Sequence, residues 1–291
     1  MDAPIILGLT GYTGTDSHDA SACIVSNGYL KLAVEEERFI RKKRAPGYSP
    51  FFSASDILNT FSISLKDINA VSTSWNTSTD DVSLFPSNLR NNWTTNLFPN
   101  KLFSGKKIPT MYMIRHHLSH MVAGFCLSGF EKATCICIDG RGENESTSIG
   151  LATKDGIKII KSYPIKYSLG LFYEAASYYS GLGYNVPGKF MGLASYGIPC
   201  KNYPIDFDEN SGDFELRLSL KGNEFNTNDL CDAYISYFLK NYFPFREGGK
   251  EEILAYINFA ATVQNNLNLI VGKILKYAKS LHPENNNLVL C

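Results

Sequence analysis

The sequence predicts an α/β fold built on a duplicated unit: a buried strand, a glycine-bearing turn, a β-hairpin and a crossover helix, used twice. Three observations carry this. Apolar runs rich in β-branched residues end in Gly/Asp-containing turns at Ile5–Leu9 and again at Thr134–Ile138. Each is followed by a hairpin with its own turn pair, Asn27-Gly28 in the first case and Asp155-Gly156 in the second. The spacing also matches, since Gly11 to Gly28 is 17 residues and Gly140 to Gly156 is 16. Two unrelated hairpins in a generic α/β protein fit this spacing equally well.

Taken in order, Ile5–Leu9 has the continuous apolar character of a strand buried on both faces. Ser21–Val25 runs into Asn27-Gly28, residues that tolerate the positive φ of a type I′ turn, and returns as Leu30–Val34. A helix around Ala54–Phe61 and a strand at Ala70–Trp75 follow, then a polar, loop-rich excursion over 76–107. A strand at Thr110–Ile114 and a helix from His116 to about Leu127 complete the first round. The second round has strands at Thr134–Ile138, Thr147–Ala152 and Ile157–Lys161, then a helix from Leu169 to about Leu182. Beyond it lie a Gly-rich loop at Pro187–Ala194, a variable section over 200–249 with one alternating strand at Phe214–Leu220, and a long helix over Glu251–Ser280. Asn287–Cys291 reads as the start of a buried strand. Lobe one is expected over about 1–130 and an incomplete lobe two over about 131–291, because the sequence stops on entering a core strand. This is the layout of the actin, sugar-kinase and heat-shock ATPase fold, whose two turns face a cleft and hold nucleotide phosphates.

Composition narrows the function classes. The chain has 291 residues with 44% hydrophobic and 19% charged, enough apolar material for a real core. Lys plus Arg and Asp plus Glu are each 28, so the basic excess expected of a nucleic-acid binder is missing. No apolar run reaches the ~18–20 residues a membrane helix needs, and the N-terminus lacks the regions of a signal peptide. The seven cysteines are odd in number, contain no CxxC pair and sit mostly among apolar neighbours, which suits reduced thiols. The expectation is a soluble cytoplasmic protein with no nucleic-acid or membrane partner.

Several short constellations could carry chemistry. In His116-His-Leu-Ser-His120, the outer histidines are one helical turn apart and share a face, so they can chelate one metal ion, while His117 lies roughly 100° away. Surface or capping histidines on an amphipathic helix would read the same way. Asp139-Gly-Arg-Gly-Glu143 follows a buried strand, where a carboxylate can ligate a metal and backbone N–H groups can approach phosphate; an ordinary turn is equally legal. Asp16-Ser-His-Asp19 puts three ionisable groups within four residues, with His18 suited to acid–base work or to a plain loop. Glu35–Arg44 is a charge run that reads as a solvated element, with one end able to reach a cleft.

Together these strings resemble the O-carbamoyltransferases of antibiotic tailoring and nodulation-factor synthesis. The resemblance rests on Ser17-His-Asp-Ala-Ser-Ala22, Glu35-Glu-Glu-Arg-Phe39 with Arg41 and Lys43, and His116-His-Leu-Ser-His120. It continues through Ile138-Asp-Gly-Arg-Gly-Glu143, Ser168-Leu-Gly-Leu-Phe-Tyr173 and Gly188-Lys-Phe-Met-Gly-Leu-Ala-Ser-Tyr-Gly197, in the same order along nearly the whole chain. It implies an N-terminal ATPase-like domain of the actin superfold, without the YrdC-like C-terminal domain. In such enzymes the YrdC-like part makes carbamoyl-adenylate from carbamoyl phosphate and ATP, and the N-terminal part transfers the carbamoyl group to a hydroxyl of a small-molecule acceptor. By motif position, the resemblance implies that His116, His120 and Asp139 are ligands of a divalent metal, with iron the metal it implies. Asp16, His18 and Lys43 line the transfer site, and Gly140, Gly142 and Lys189 face the nucleotide. Pro187 stands where members often have Glu, and Asn268 where a Glu usually follows Gln264. The missing C-terminal portion could be separately encoded. The alternative is an inactive truncated remnant or binding module that keeps the fold and the metal site.

Overall fold

The computed structural model describes residues 4–11, 18–76, 78–84, 97–103, 108–184, 186–200, 204–218, 220, 227–242 and 253–291. The chain divides into two compact units, Met1–Ser119 and His120–Cys291.

In the first unit, β1 (Ile5–Thr10), β2 (Ser21–Ser26) and β3 (Tyr29–Glu35) form an antiparallel meander, with Leu7 opposite Ile24 and Ile24 opposite Leu32. The β2–β3 turn has φ of 56° at Asn27 and 75° at Gly28, the pair of positive values that the type I′ turn requires. After β3 the chain forms the short α1 (Glu37–Ile40) and then α2 (Phe51–Thr60), before β4 (Ala70–Thr73) joins β1 in parallel. A parallel neighbour needs such a crossover, because no tight turn can reverse the chain twice. Two strands complete the order β3-β2-β1-β4-β6-β5: β6 (Thr110–Ile114), parallel to β4, and the edge strand β5 (Val82–Leu84), antiparallel to β6. Leu7, Leu9, Ile24, Ile57, Leu58, Val71 and Met111 are buried together between the sheet and α2.

The charge run after β3 is not wholly solvated. Glu36 is completely buried, and its carboxylate accepts hydrogen bonds from Phe52 N–H (3.1 Å), Ser53 N–H (2.8 Å) and the Ser53 hydroxyl (2.8 Å). α2 has no side-chain cap at Pro50, so this remote carboxylate satisfies its first-turn donors and complements its dipole. Glu36→Ala strands those donors, and we expect a loss of about 2–3 kcal/mol of stability, readable as a lower urea midpoint for unfolding.

α3 (His116–Ser128) follows β6 and runs on without a break into the second unit. There β7 (Lys132–Ile138), β8 (Glu145–Thr153) and β9 (Gly156–Pro164) form a second antiparallel meander. β12 (Leu288–Leu290) then joins β7 in parallel, giving β12-β7-β8-β9. The first sheet has the same run, β4-β1-β2-β3, so the duplicated layout of the actin-like ATPase fold is present in the topology itself. Between β9 and β12 lie α4 (Leu169–Tyr179), α5 (Pro187–Ala194), the β10–β11 ribbon (Ile205–Asp208 and Asp213–Leu216), α6 (Thr227–Asn241) and α7 (Ile257–Leu281). Phe172, Tyr179, Tyr234, Phe238 and Phe259 from three of these helices are buried against one another.

Three further expectations change. Pro187–Ala194 is a helix, not a Gly-rich loop: Pro187 occupies the start, where a missing N–H costs nothing, and Phe190 and Ala194 bury one face. The variable section contains α6 and pairs Ile205–Asp208 with the expected strand, which ends at Leu216. The long helix begins at Ile257 after a 3₁₀ turn at Ile253–Tyr256, and residues 251–252 lie outside the described residues. Among the described residues, no helix is long and apolar enough to cross a membrane, and all seven cysteines are free thiols.

Candidate functional site

α3 carries the two outer histidines. Its inner face is seated on the second sheet: Met121 is fully buried with Cys135 and Cys137. Gly124 lies so near Val289 that an added Cβ would come within 2.7 Å of it. One rigid helix therefore fixes His116 and His120 one turn apart. His117 points elsewhere and is buried, 1% exposed. On the first-unit side, His116 Nδ1 lies 3.0 Å from the Ser74 carbonyl and its ring stacks on Trp75 at 4.3 Å. A carbonyl oxygen only accepts, so Nδ1 carries the proton and Nε2 keeps the lone pair a metal needs.

Asp139 stands where β7 ends. Its Oδ1 accepts from Gly140 N–H at 2.6 Å, and its Oδ2 lies 3.7 Å from His120 Nε2. That spacing is too long for a hydrogen bond and suits two atoms that share an ion. One ligand atom from each of His116, His120 and Asp139 lies within 4.8 Å of the others. Two imidazoles and one carboxylate form the donor set used for non-haem Fe(II), so the residues fit a divalent transition metal.

The turn that holds Asp139 is pinned from several sides. Asp139 N–H donates to the Ser146 carbonyl (2.9 Å) and Gly142 N–H to the Glu145 carbonyl (2.6 Å). Ser168 donates its hydroxyl to the Gly140 carbonyl (2.7 Å) while accepting from Leu171 N–H (3.0 Å) as the cap of α4. Gly170 presses directly on this turn, and a Cβ there would sit 2.7 Å from Gly140 Cα and 2.8 Å from Gly140 N. Gly170→Ala must displace the turn, so we expect weaker metal binding by about tenfold or more, measured by competition with a chromogenic chelator. Gly140 and Gly142 thus use their N–H groups within the turn, and Lys189 is exposed on the first turn of α5.

The other expected cluster lies in the first unit. His18 and Lys43 are both exposed, and Asp16 lies outside the described residues. The segments of His18 and Lys43 meet: Asp19 N–H donates to the Arg44 carbonyl (2.5 Å), and Arg44 N–H donates to a Glu37 carboxylate oxygen (2.6 Å). Sequence reasoning missed Ser74, Trp75, Gly170 and Arg44 as supports. Only the Ser168-Leu-Gly string carried any local signal for them.

Comparison with known proteins places the whole chain. Residues 6–290 match the family described as Carbamoyltransferase N-terminus. An uncharacterized protein of Synechocystis, sll1178, is 31% identical over 221 residues, covering 67% of this chain and 35% of that protein. Nodulation protein NolNO of Sinorhizobium fredii is 30% identical over 195 residues, covering 64% of this chain and 28% of that protein. The chain spans about a third of the length of these relatives. Among solved structures, HypF of T. kodakarensis is similar over 100% of this chain and 45% of its own, at 8% identity and a TM-score of 0.38. With the family match running from β1 to β12, the chain belongs to the carbamoyltransferase N-terminal family.

Proposed function

We propose that this chain carries the transfer half of an O-carbamoyltransferase. It binds carbamoyl-adenylate, made from carbamoyl phosphate and ATP by a YrdC-like portion in the same or a separate polypeptide. It then moves the carbamoyl group to a hydroxyl of a small-molecule acceptor. The observation that carries this reading is the clustering of His116, His120 and Asp139 in a chain of this family. These three residues would hold a divalent metal, by preference iron, which supplies positive charge beside the adenylate phosphate.

The chain's own residues do the rest. The acceptor oxygen attacks the carbamoyl carbon, the carbon–oxygen bond to phosphate breaks, and AMP leaves. His18, with Asp16, accepts the hydroxyl proton. Lys43 sets a compact positive charge near the departing phosphate. Gly140, Gly142 and Lys189 are proposed on the nucleotide side, Lys189 through its ammonium and the glycines through the close approach they permit.

The test combines the chain with a YrdC-like domain, ATP, carbamoyl phosphate and a panel of hydroxyl-bearing acceptors, with products read by mass spectrometry. A carbamoylated acceptor formed together with AMP supports the reading. Metal binding without carbamoylation of any acceptor would instead favour a binding module.

A further inference from the structure

His18 is bonded to its own sequence neighbour, an arrangement that extended backbone does not allow. Asp19 has φ of 57°, which folds its carboxylate back so that Oδ2 lies 2.6 Å from His18 Nδ1. The Arg44 guanidinium holds the same carboxylate from the other side, with Nη2 3.2 Å from Oδ2 and Nε 3.4 Å from both oxygens. Arg44 (φ 64°) and Ala45 (φ 43°) also adopt left-handed backbone, and Ala45 is fully buried. Non-glycine residues are strained in that region and persist there only where the surroundings impose it. Here the imposed result is a fixed carboxylate beside an exposed imidazole, whose side chain is 51% accessible.

We propose that Asp19, anchored by Arg44, is a positioning residue that holds His18 as the Nδ1–H tautomer, with the Nε2 lone pair turned out to accept a proton. This rests on the reading of His18 as the proton acceptor in carbamoyl transfer. A nitrogen 2.6 Å from a carboxylate oxygen must carry a proton, because two lone pairs would repel at that distance. Burial works against the charge on Asp19, but the hydrogen bonds and charges of Arg44 and His18 outweigh it and hold the carboxyl below its usual range. The Arg44 Nη2 also lies 3.0 Å from His18 Nδ1, but it donates to Asp19 Oδ2 at 3.2 Å, and the shorter contact of Nδ1 with that carboxylate decides that Nδ1 donates. An imidazole oriented by a carboxylate, with its far nitrogen basic, is the arrangement that activates hydroxyl nucleophiles in other acyl-transfer sites.

The experiment is nitrogen-15 NMR of the full chain through two-bond couplings to the imidazole ring. The His18 signals are identified among the five histidines by their loss in His18→Gln. We expect a protonated Nδ1 and an unprotonated Nε2 near neutral pH. In Asp19→Asn the single remaining oxygen faces Arg44 and the amide NH₂ faces His18 Nδ1, so the proton moves to Nε2. Asn tolerates left-handed backbone and the side chain is 56% accessible, so the variant should fold; Asp19→Ala, which can hold neither form, should give a mixed tautomer. In the reconstituted transfer assay Asp19→Asn should be slower by about 10²–10⁴-fold. An Nε2–H tautomer in the parent chain, or Nδ1–H retained in both variants, overturns the inference whatever the activity. A tautomer that switches without loss of transfer keeps the positioning role and overturns the placement of His18 in the reaction.

Discussion

His116→Ala and His120→Ala should each lower the affinity of the chain for a divalent metal by more than about 100-fold, since even partners outside the ligand shell cost 10–100-fold when removed. The two rings project from one face of α3, and Asp139 Oδ2 faces His120 at 3.7 Å. Removal of either imidazole leaves two donors, too few for a tight site on an exposed helix face. His117→Asn should leave metal content unchanged, because that ring is buried on another side of the helix; a melting curve separates any loss of stability from loss of ligation. Equal loss of metal in all three variants would contradict the one-turn geometry. Affinity for the parent chain should also fall in acid, as the imidazoles take up protons in place of the ion.

The second large effect concerns transfer itself. His18→Ala and Lys43→Ala should each reduce carbamoyl transfer in the reconstituted reaction by about 10²–10⁴-fold, while the urea midpoint of the chain changes little. Both side chains are exposed, so neither contributes much packing. Undiminished transfer in both variants would place the reaction elsewhere. Lys43→Arg distinguishes a need for charge from a need for shape: a compact ammonium and a planar guanidinium present different geometry to one phosphate oxygen.

The parts of this structure that were legible in the sequence are those whose cause is local. The Asn27-Gly28 turn fixes the pairing of β2 with β3, because both residues can take positive φ. The His116–His120 pair was legible for a similar reason, since helical periodicity alone decides which side chains share a face. Other features depend on distant residues. Glu36 caps α2 from 16 positions away and looks, in its string of like charges, like one more solvated carboxylate. α5 contains two glycines and reads as a loop until Phe190 and Ala194 find their core. α6 is polar overall, and only the spacing of its buried residues Leu230, Cys231, Tyr234 and Phe238 betrays an apolar stripe. The support of His18 by Arg44 crosses 26 positions and relies on backbone conformations that no residue type there would announce. Asp139 joined the histidines by motif resemblance, because no sequence spacing relates a strand end to a helix face.

The most direct test of the central claim is anomalous diffraction at the iron edge from crystals of the iron-loaded chain. The account predicts one strong peak within bonding distance of His116 Nε2, a His120 ring nitrogen and an Asp139 carboxylate oxygen, with His18 outside the coordination sphere. A loaded crystal with no peak between those three side chains, or with its iron held by other residues, would contradict it.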